Sequence, residues 1–150
     1  MTALVTVRPL TAQDYDAWAT LWHGYLTYYE TTLDAQIYRS TFERLCDAAE
    51  PTMQGRLAIV DGVPVGLVHY ILHRHCWRTE DVTYLQDLFT APAARGHGVA
   101  RALIETVYVE ADALGAPAVY WMTQDFNATA RWLYDRIGTC TPFIKYQRPQ

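Results

Sequence analysis

At 150 residues the chain is long enough for one domain with an ample core, and its 51% hydrophobic and 13% aromatic content excludes a disordered chain. No apolar run approaches the roughly 20 residues that cross a bilayer, so no membrane partner is expected. Twelve Lys and Arg against 16 Asp and Glu give a net charge of −4, too little basic surface for a nucleic-acid partner but compatible with a cationic small substrate.

Residues 1–10 are too short and too early in charge for a secretion signal, which points to a cytoplasmic protein. Cys46, Cys76 and Cys140 are odd in number and form no C-x-x-C pair, so they read as small buried hydrophobes and not as a disulfide framework or zinc site.

Residues 4–10 alternate and read as a first strand, after which Thr11 caps a helix over residues 12–28. Tyr15, Trp18, Leu21, Trp22 and Tyr25 recur at helical spacing on its apolar face. The aromatic run Trp18, Trp22, Tyr25, Tyr28 and Tyr29 reads first as core and rim packing, while Tyr28, Tyr29 and Glu30 at the helix end could line an amine pocket. A second helix is predicted over residues 34–48, with Ile37, Phe42 and Leu45 on its buried side.

Two alternating runs, residues 55–60 and 63–72, flank Asp61-Gly62, a strong hairpin signal. His69, His73 and His75 share one parity, but four strand residues span about 13 Å, so no metal is expected on them. His73, Arg74, His75 and Trp77 are predicted on a loop near the substrate entrance. A further strand, residues 82–89, leads through Pro92 into Arg95-Gly96-His97-Gly98 and then a helix with Val99, Leu103, Val107 and Ala111 on one side. The first N–H groups of that helix have no intrahelical partner and meet the positive end of its dipole. With two glycines and small Ala100 allowing close approach, a diphosphate can be held there by main chain. No Gly-Lys-Ser/Thr follows Gly98, and Arg101 replaces the third glycine of G-x-G-x-x-G, so P-loop and dinucleotide readings lose ground.

Leu114-Gly115 and Pro117 close this helix. A short buried strand is predicted over residues 118–122, a helix capped by Asn127 over residues 128–137 with Gly138 as its C′ residue, and a last strand over residues 143–147. Antiparallel strands giving way to a parallel one make an α/β (α+β) domain with a mixed, mostly antiparallel sheet flanked by helices, the whole of residues 1–150 forming one domain.

Arg95-x-x-Gly98-x-Ala100, after Thr90-x-Pro92, resembles the acetyl-coenzyme A signature of the GNAT superfamily of N-acetyltransferases. Asn127-x-x-Ala130-x-x-Leu133-Tyr134-x-x-x-Gly138 is similar to its second block. The strand Tyr84-Leu85-Gln86-Asp87-Leu88-Phe89-Thr90 is similar to the diamine acetyltransferases, and Leu21-Trp22-x-x-Tyr25 with Trp121-x-Thr123 to the histone and polyamine branch. Gln86 stands where those enzymes carry glutamate, and an amide accepts no proton at neutral pH. The resemblance implies the GNAT fold with strands splayed at the cofactor site, and acetyl-coenzyme A as co-substrate without a metal. The cofactor would be held by Leu88, Phe89, Thr90, Arg95, Gly96, His97, Gly98, Val99, Ala100, Arg101, Asn127 and Tyr134. It implies direct transfer of acetyl to a primary amine, a small cationic metabolite, with a homodimer expected. Tyr28, Tyr29, Glu30, Trp77, Tyr84 and Gln86 are the acceptor candidates.

The chemistry assigns roles within this set. An alkyl amine with a pKa of about 10.4 is neutral in roughly one molecule in a few thousand at pH 7, so a base or acidic pocket is needed. Asp87 is the first choice. The thiolate leaving group needs an acid, for which Tyr134 is the candidate. A non-catalytic acyl-coenzyme A module and a protein or peptide lysine acetyltransferase are the alternatives.

Overall fold

The computed structural model describes residues 4–150; residues 1–3, part of the segment read above for a secretion signal, lie outside them. Strand β1 (Val5–Pro9) pairs antiparallel with β2 (Met53–Val60), β2 with β3 (Val63–His73), and β3 with β4 (Val82–Thr90). The β2–β3 hairpin turns at Asp61-Gly62, where φ is +50 and +76°, matching the D-G signal. Strand β5 (Val119–Tyr120) completes the order β1-β2-β3-β4-β5 and runs parallel to β4. It has two residues, not the five expected, with Tyr120 43% and Met122 50% exposed, because beyond Tyr84 strand β4 diverges from it.

Helices cover both faces. On one lie α1 (Tyr15–Tyr28) and α2 (Ala35–Cys46), whose Trp18, Leu21, Trp22, Leu26 and Phe42 pack on Leu57 and Leu67. Before α1, Asp14 accepts from the Thr11 N–H at 2.7 Å and hydroxyl at 3.0 Å, and its oxygens meet the Arg8 guanidinium at 2.8 and 2.9 Å. On the other face lies α3 (Val99–Ala113), burying Val99, Leu103, Ile104, Val107 and Ala111 against Ala58, Val68, Tyr70 and Leu85. Complete burial of each large aliphatic among them stabilises the fold by about 1.5–3 kcal/mol. Helix α4 (Ala128–Ile137) packs beside α3 through Leu133, Tyr134 and Ile137, and the Tyr108 hydroxyl donates to the Ile137 carbonyl at 2.7 Å.

Several expectations need correction. Cys46, Cys76 and Cys140 are exposed, since they fall at a helix end, in a loop and after α4. Ile37 is 39% exposed in the first turn of α2, ahead of where that helix meets the sheet. Gly138 is extended (φ −141°) and not left-handed; it is small because a Cβ there would stand 2.8 Å from the Trp121 ring. Residues 143–147 form no strand. They have no ladder partner, and Phe143, Ile144 and Tyr146 are 85, 76 and 87% exposed.

Candidate active site

Strand β4 carries one residue more than its partner. Leu88 faces Val68 and Asp87 faces His69, but Leu85 faces Tyr70, so Gln86 is the extra residue of a β-bulge. The bulge puts Leu85 and Leu88 on the α3 face and Asp87 on the α1 face. On its other side β4 pairs with β5 at Thr83 and Tyr84 alone, which leaves the main chain of residues 85–90 without a ladder partner there. A cleft of about 40 Å³ opens in that gap, lined by Tyr25, Tyr29, Leu85, Gln86, Leu88, Trp121, Met122 and Tyr134.

The glycine loop lies beyond Thr90. Gly96 and Gly98 adopt φ of +81 and +80°, a region that L side chains rarely enter, and a Cβ on either would meet nothing within 4 Å. Open space there is what a ligand's approach requires. The first helical bond of α3 runs from the Ala102 N–H to the Gly98 carbonyl, so the N–H groups of Gly98, Val99, Ala100 and Arg101 have no partner within the helix. Arg95 and His97 are exposed beside them; the Arg95 guanidinium lies over Phe89 at 5.9 Å and its Nε donates to the Thr90 carbonyl at 3.3 Å. Arg101 is turned along its own helix to Glu105 at 3.0 Å. An unpaired stretch of β4 for amide groups and a helix start for phosphates fit a long acyl-coenzyme A thioester.

Tyr134 reaches the cleft from α4, whose start Asn127 caps by accepting from the Ala130 N–H at 3.3 Å. Its ring meets Trp121 edge-on at 5.5 Å. Burial, with smaller effects from Tyr29 and Tyr28, pushes its pKa up to about 12, so the phenol carries its proton at neutral pH.

Asp87 is 7% exposed, one layer behind the cleft wall. Its Oδ2 lies 2.8 Å from Nδ1 of His69 and accepts from Nε1 of Trp22 at 3.2 Å; Nε1 of Trp18 donates to His69 Nε2 at 2.8 Å. Tyr25 joins this group to the cleft. Its hydroxyl is 3.5 Å from the Gln86 carbonyl, and burial first, then the Asp87 charge, drive its pKa well above the usual phenol value. Sequence reasoning missed these as site residues: Trp18, Trp22 and Tyr25 were read as core and rim packing, and His69 was weighed only as a metal ligand. Two indole N–H donors four residues apart were the available signal, but their acceptors depend on strand register.

The other candidates scatter. Tyr84 stacks on Tyr120 at 4.9 Å, next to the cleft. Tyr28 is 52% exposed near Tyr134. Glu30, left-handed at φ 54°, lines a separate cavity of about 510 Å³ with His23, Thr27 and Tyr38. Trp77 is 88% exposed on the loop before β4, at the end of that strand away from Thr90, with its ring against His75. That loop is carried off by the full length of β4, so Trp77 lies away from the cleft, while Glu30, just past the end of α1, lines the other cavity.

Residues 15–139 match the acetyltransferase (GNAT) family. The chain belongs to that family. It is also 37% identical over 148 residues to the D-amino-acid N-acetyltransferase HPA3 of Saccharomyces cerevisiae, covering 96% of this chain and 90% of that one. Among solved structures it resembles the aminoglycoside acetyltransferase AAC(6')-Iy, crystallised with a bisubstrate analogue of coenzyme A (TM-score 0.84, 17% identity, 99% of each chain). It resembles as well a ribosomal-protein-alanine N-acetyltransferase from Brucella melitensis biovar Abortus (TM-score 0.78, 19% identity, 98% of this chain and 100% of that one). The fold is thus that of the GNAT enzymes, and the chain is an N-acetyltransferase whose family implies acetyl-coenzyme A as co-substrate.

Proposed function

We propose that the protein transfers an acetyl group from acetyl-coenzyme A to the amino group of a small amine or amino acid, by direct attack within one ternary complex. The observation that carries this reading is the meeting of Tyr134, Gln86 and Tyr25 in the gap between β4 and β5, with the Asp87 carboxylate behind them. The name of the yeast relative supports an amino-acid acceptor. The Asp87 carboxylate behind the wall and the Tyr25 and Tyr29 rings in it support a cationic one.

Acetyl-coenzyme A supplies the thioester; the chain's residues do the rest. Asp87, by way of a water beside Tyr25, takes one proton from the ammonium form, and the freed nitrogen lone pair attacks the acetyl carbon. Main-chain N–H groups of Leu88 to Thr90 on the open side of β4 receive the oxygen as it gains charge. As the C–S bond breaks, Tyr134 passes its phenolic proton to sulfur and is reprotonated from the nitrogen, so that one proton is released to solvent overall. The phenol is a weaker acid than a free thiol by about 3–4 pH units, and the burial that raises it also makes a neighbouring thiolate more basic, which narrows the gap. Arg95, Gly96, His97, Gly98, Val99, Ala100 and Arg101 would hold the phosphates, and Asn127 the start of α4.

Thiol release measured with acetyl-coenzyme A and a panel of D-amino acids, putrescine and a lysine peptide tests the reading. Turnover with the small amines supports it; binding of coenzyme A without turnover on any acceptor would overturn it in favour of a non-catalytic binding module. Residues 4–150 are read as one domain because the two core clusters share one sheet. Exposed Phe143, Ile144 and Tyr146 support a homodimer, and three exposed thiols fit the reducing cytoplasm.

A further inference from the structure

The buried side chain of His69 has no part in the steps above, yet it is only 4% exposed and stands between Trp18 at 0% and Asp87 at 7%. Its tautomer follows from its neighbours. An indole Nε1 can only donate, so the 2.8 Å contact from Trp18 requires the lone pair on His69 Nε2 and the hydrogen on Nδ1. Nδ1 then donates to Asp87 Oδ2, also at 2.8 Å. The bonds run in one direction, from Trp18 through His69 to Asp87, and Trp22 adds a second donor to the same oxygen at 3.2 Å.

We propose that His69 is a positioning residue for Asp87: the Trp18 indole sets its tautomer, and its Nδ1–H holds Oδ2 so that Oδ1 is left to take the acceptor amine's proton through the water beside Tyr25. This rests on the acetyl-transfer reading of the site. A buried polar trio is a poor way to stabilise a core, since well-packed apolar residues of similar volume commonly do as well or better. It is a good way to fix one rotamer of a carboxylate. The location agrees, because Asp87 directly follows the bulge residue Gln86, which lines the cleft with Tyr134. The ionisable groups facing Asp87 are Tyr25 from α1, Tyr29 just past its end, His69 from β3 and Tyr84 on its own strand, so His69 is the nitrogen base among them.

The test compares His69→Phe, which removes the donor, with His69→Asn, whose amide N–H can stand near the place of Nδ1. With D-lysine, D-phenylalanine and putrescine as acceptor probes, His69→Phe is expected to lower kcat roughly 10-fold or more. It should move the acid limb of the pH–rate profile to higher pH and leave coenzyme A affinity unchanged. His69→Asn should recover much of the rate and return the profile towards wild type. Wild-type kcat and profile in a folded His69→Phe protein would overturn the inference while leaving acetyl transfer standing; a wild-type protein inactive on every probe strikes the transfer reading instead. Should His69→Phe fail to fold, nitrogen NMR of the wild-type imidazole decides: a hydrogen on Nδ1 supports the inference, and one on Nε2 refutes it.

Discussion

Gly66 of β3 lies directly beneath Val99, the first residue of α3: a Cβ on Gly66 would stand 2.8 Å from Val99 Cγ1 and 2.9 Å from the Phe89 carbonyl oxygen. The contact seats the glycine loop on the sheet. A side chain can shift, but a ladder carbonyl cannot without disturbing β4. Gly66→Ala should therefore cost about 1–3 kcal/mol, as overpacking does, and weaken coenzyme A binding by lifting the start of α3. Denaturant unfolding and calorimetry check both, and an unchanged midpoint would refute the packing argument.

Gly98 sits in the opposite situation, with φ of +80° and nothing within 4 Å of its missing Cβ. Gly98→Val should fold, at a strain cost of about 1–3 kcal/mol, but project two methyls into the space a diphosphate would occupy. Loss of coenzyme A binding in a folded variant is the expected result. Undiminished binding by calorimetry would remove the loop from the cofactor site.

If Tyr134 protonates the leaving sulfur, Tyr134→Phe should reduce kcat by roughly 10²-fold or more with cofactor affinity nearly intact. Because its phenol ionises only at about 12, the wild-type rate should show no basic limb from Tyr134 between pH 7 and 10. Unchanged turnover, with chemistry shown to limit the rate, would return Tyr134 to a packing role.

Asp87→Asn keeps the shape of the Trp22 and His69 pocket and removes the base. Activity should fall most at neutral pH and recover as pH rises towards the amine's own pKa of about 10, where solution supplies free amine. A pH profile identical to wild type would exclude Asp87 from proton transfer.

Asp14 tests the fold away from the cleft. Hydrogen bonds from Arg8 above all, and from Thr11, hold its carboxyl down at about 2. Its folded pKa lies below the unfolded value of about 3.9, so the pair's contribution is complete above pH 4 and is lost as pH falls through about 2. Arg8 is 42% exposed, which limits that contribution to about 1 kcal/mol. Asp14→Asn should lower stability by that order at pH 7 and flatten its pH dependence between 4 and 2, as read by urea unfolding.

What was legible in the sequence was whatever depends on local spacing. Val99, Leu103, Val107 and Ala111 are all buried, the Asp61-Gly62 hairpin is in place, and Asn127 caps its helix, because each follows from neighbours within a few positions. The strand expected over residues 143–147 failed because alternation says nothing about a partner, and the described fold offers none. The His69–Asp87 contact was hidden for a related reason: it spans 18 residues and exists only in one register of β3 against β4. Two exposed glycines and a conspicuous tryptophan, by contrast, look alike in a sequence; Gly98 lies at a helix start and Trp77 at the far end of β4.

The extra residue at Gln86 makes one strand serve two faces. Leu85 and Asp87, two apart, would share a side in a regular strand, and here they part, one to the α3 core and one to the α1 aromatics. Side chain and chain length thus answer to different constraints at this position. As far as the register goes, a substitution at Gln86 changes nothing but the cleft lining, whereas deleting it would turn Leu85 against the indoles or Asp87 into the α3 core. Position 86 sets the spacing of the strand by its presence and the lining of the cleft by its side chain.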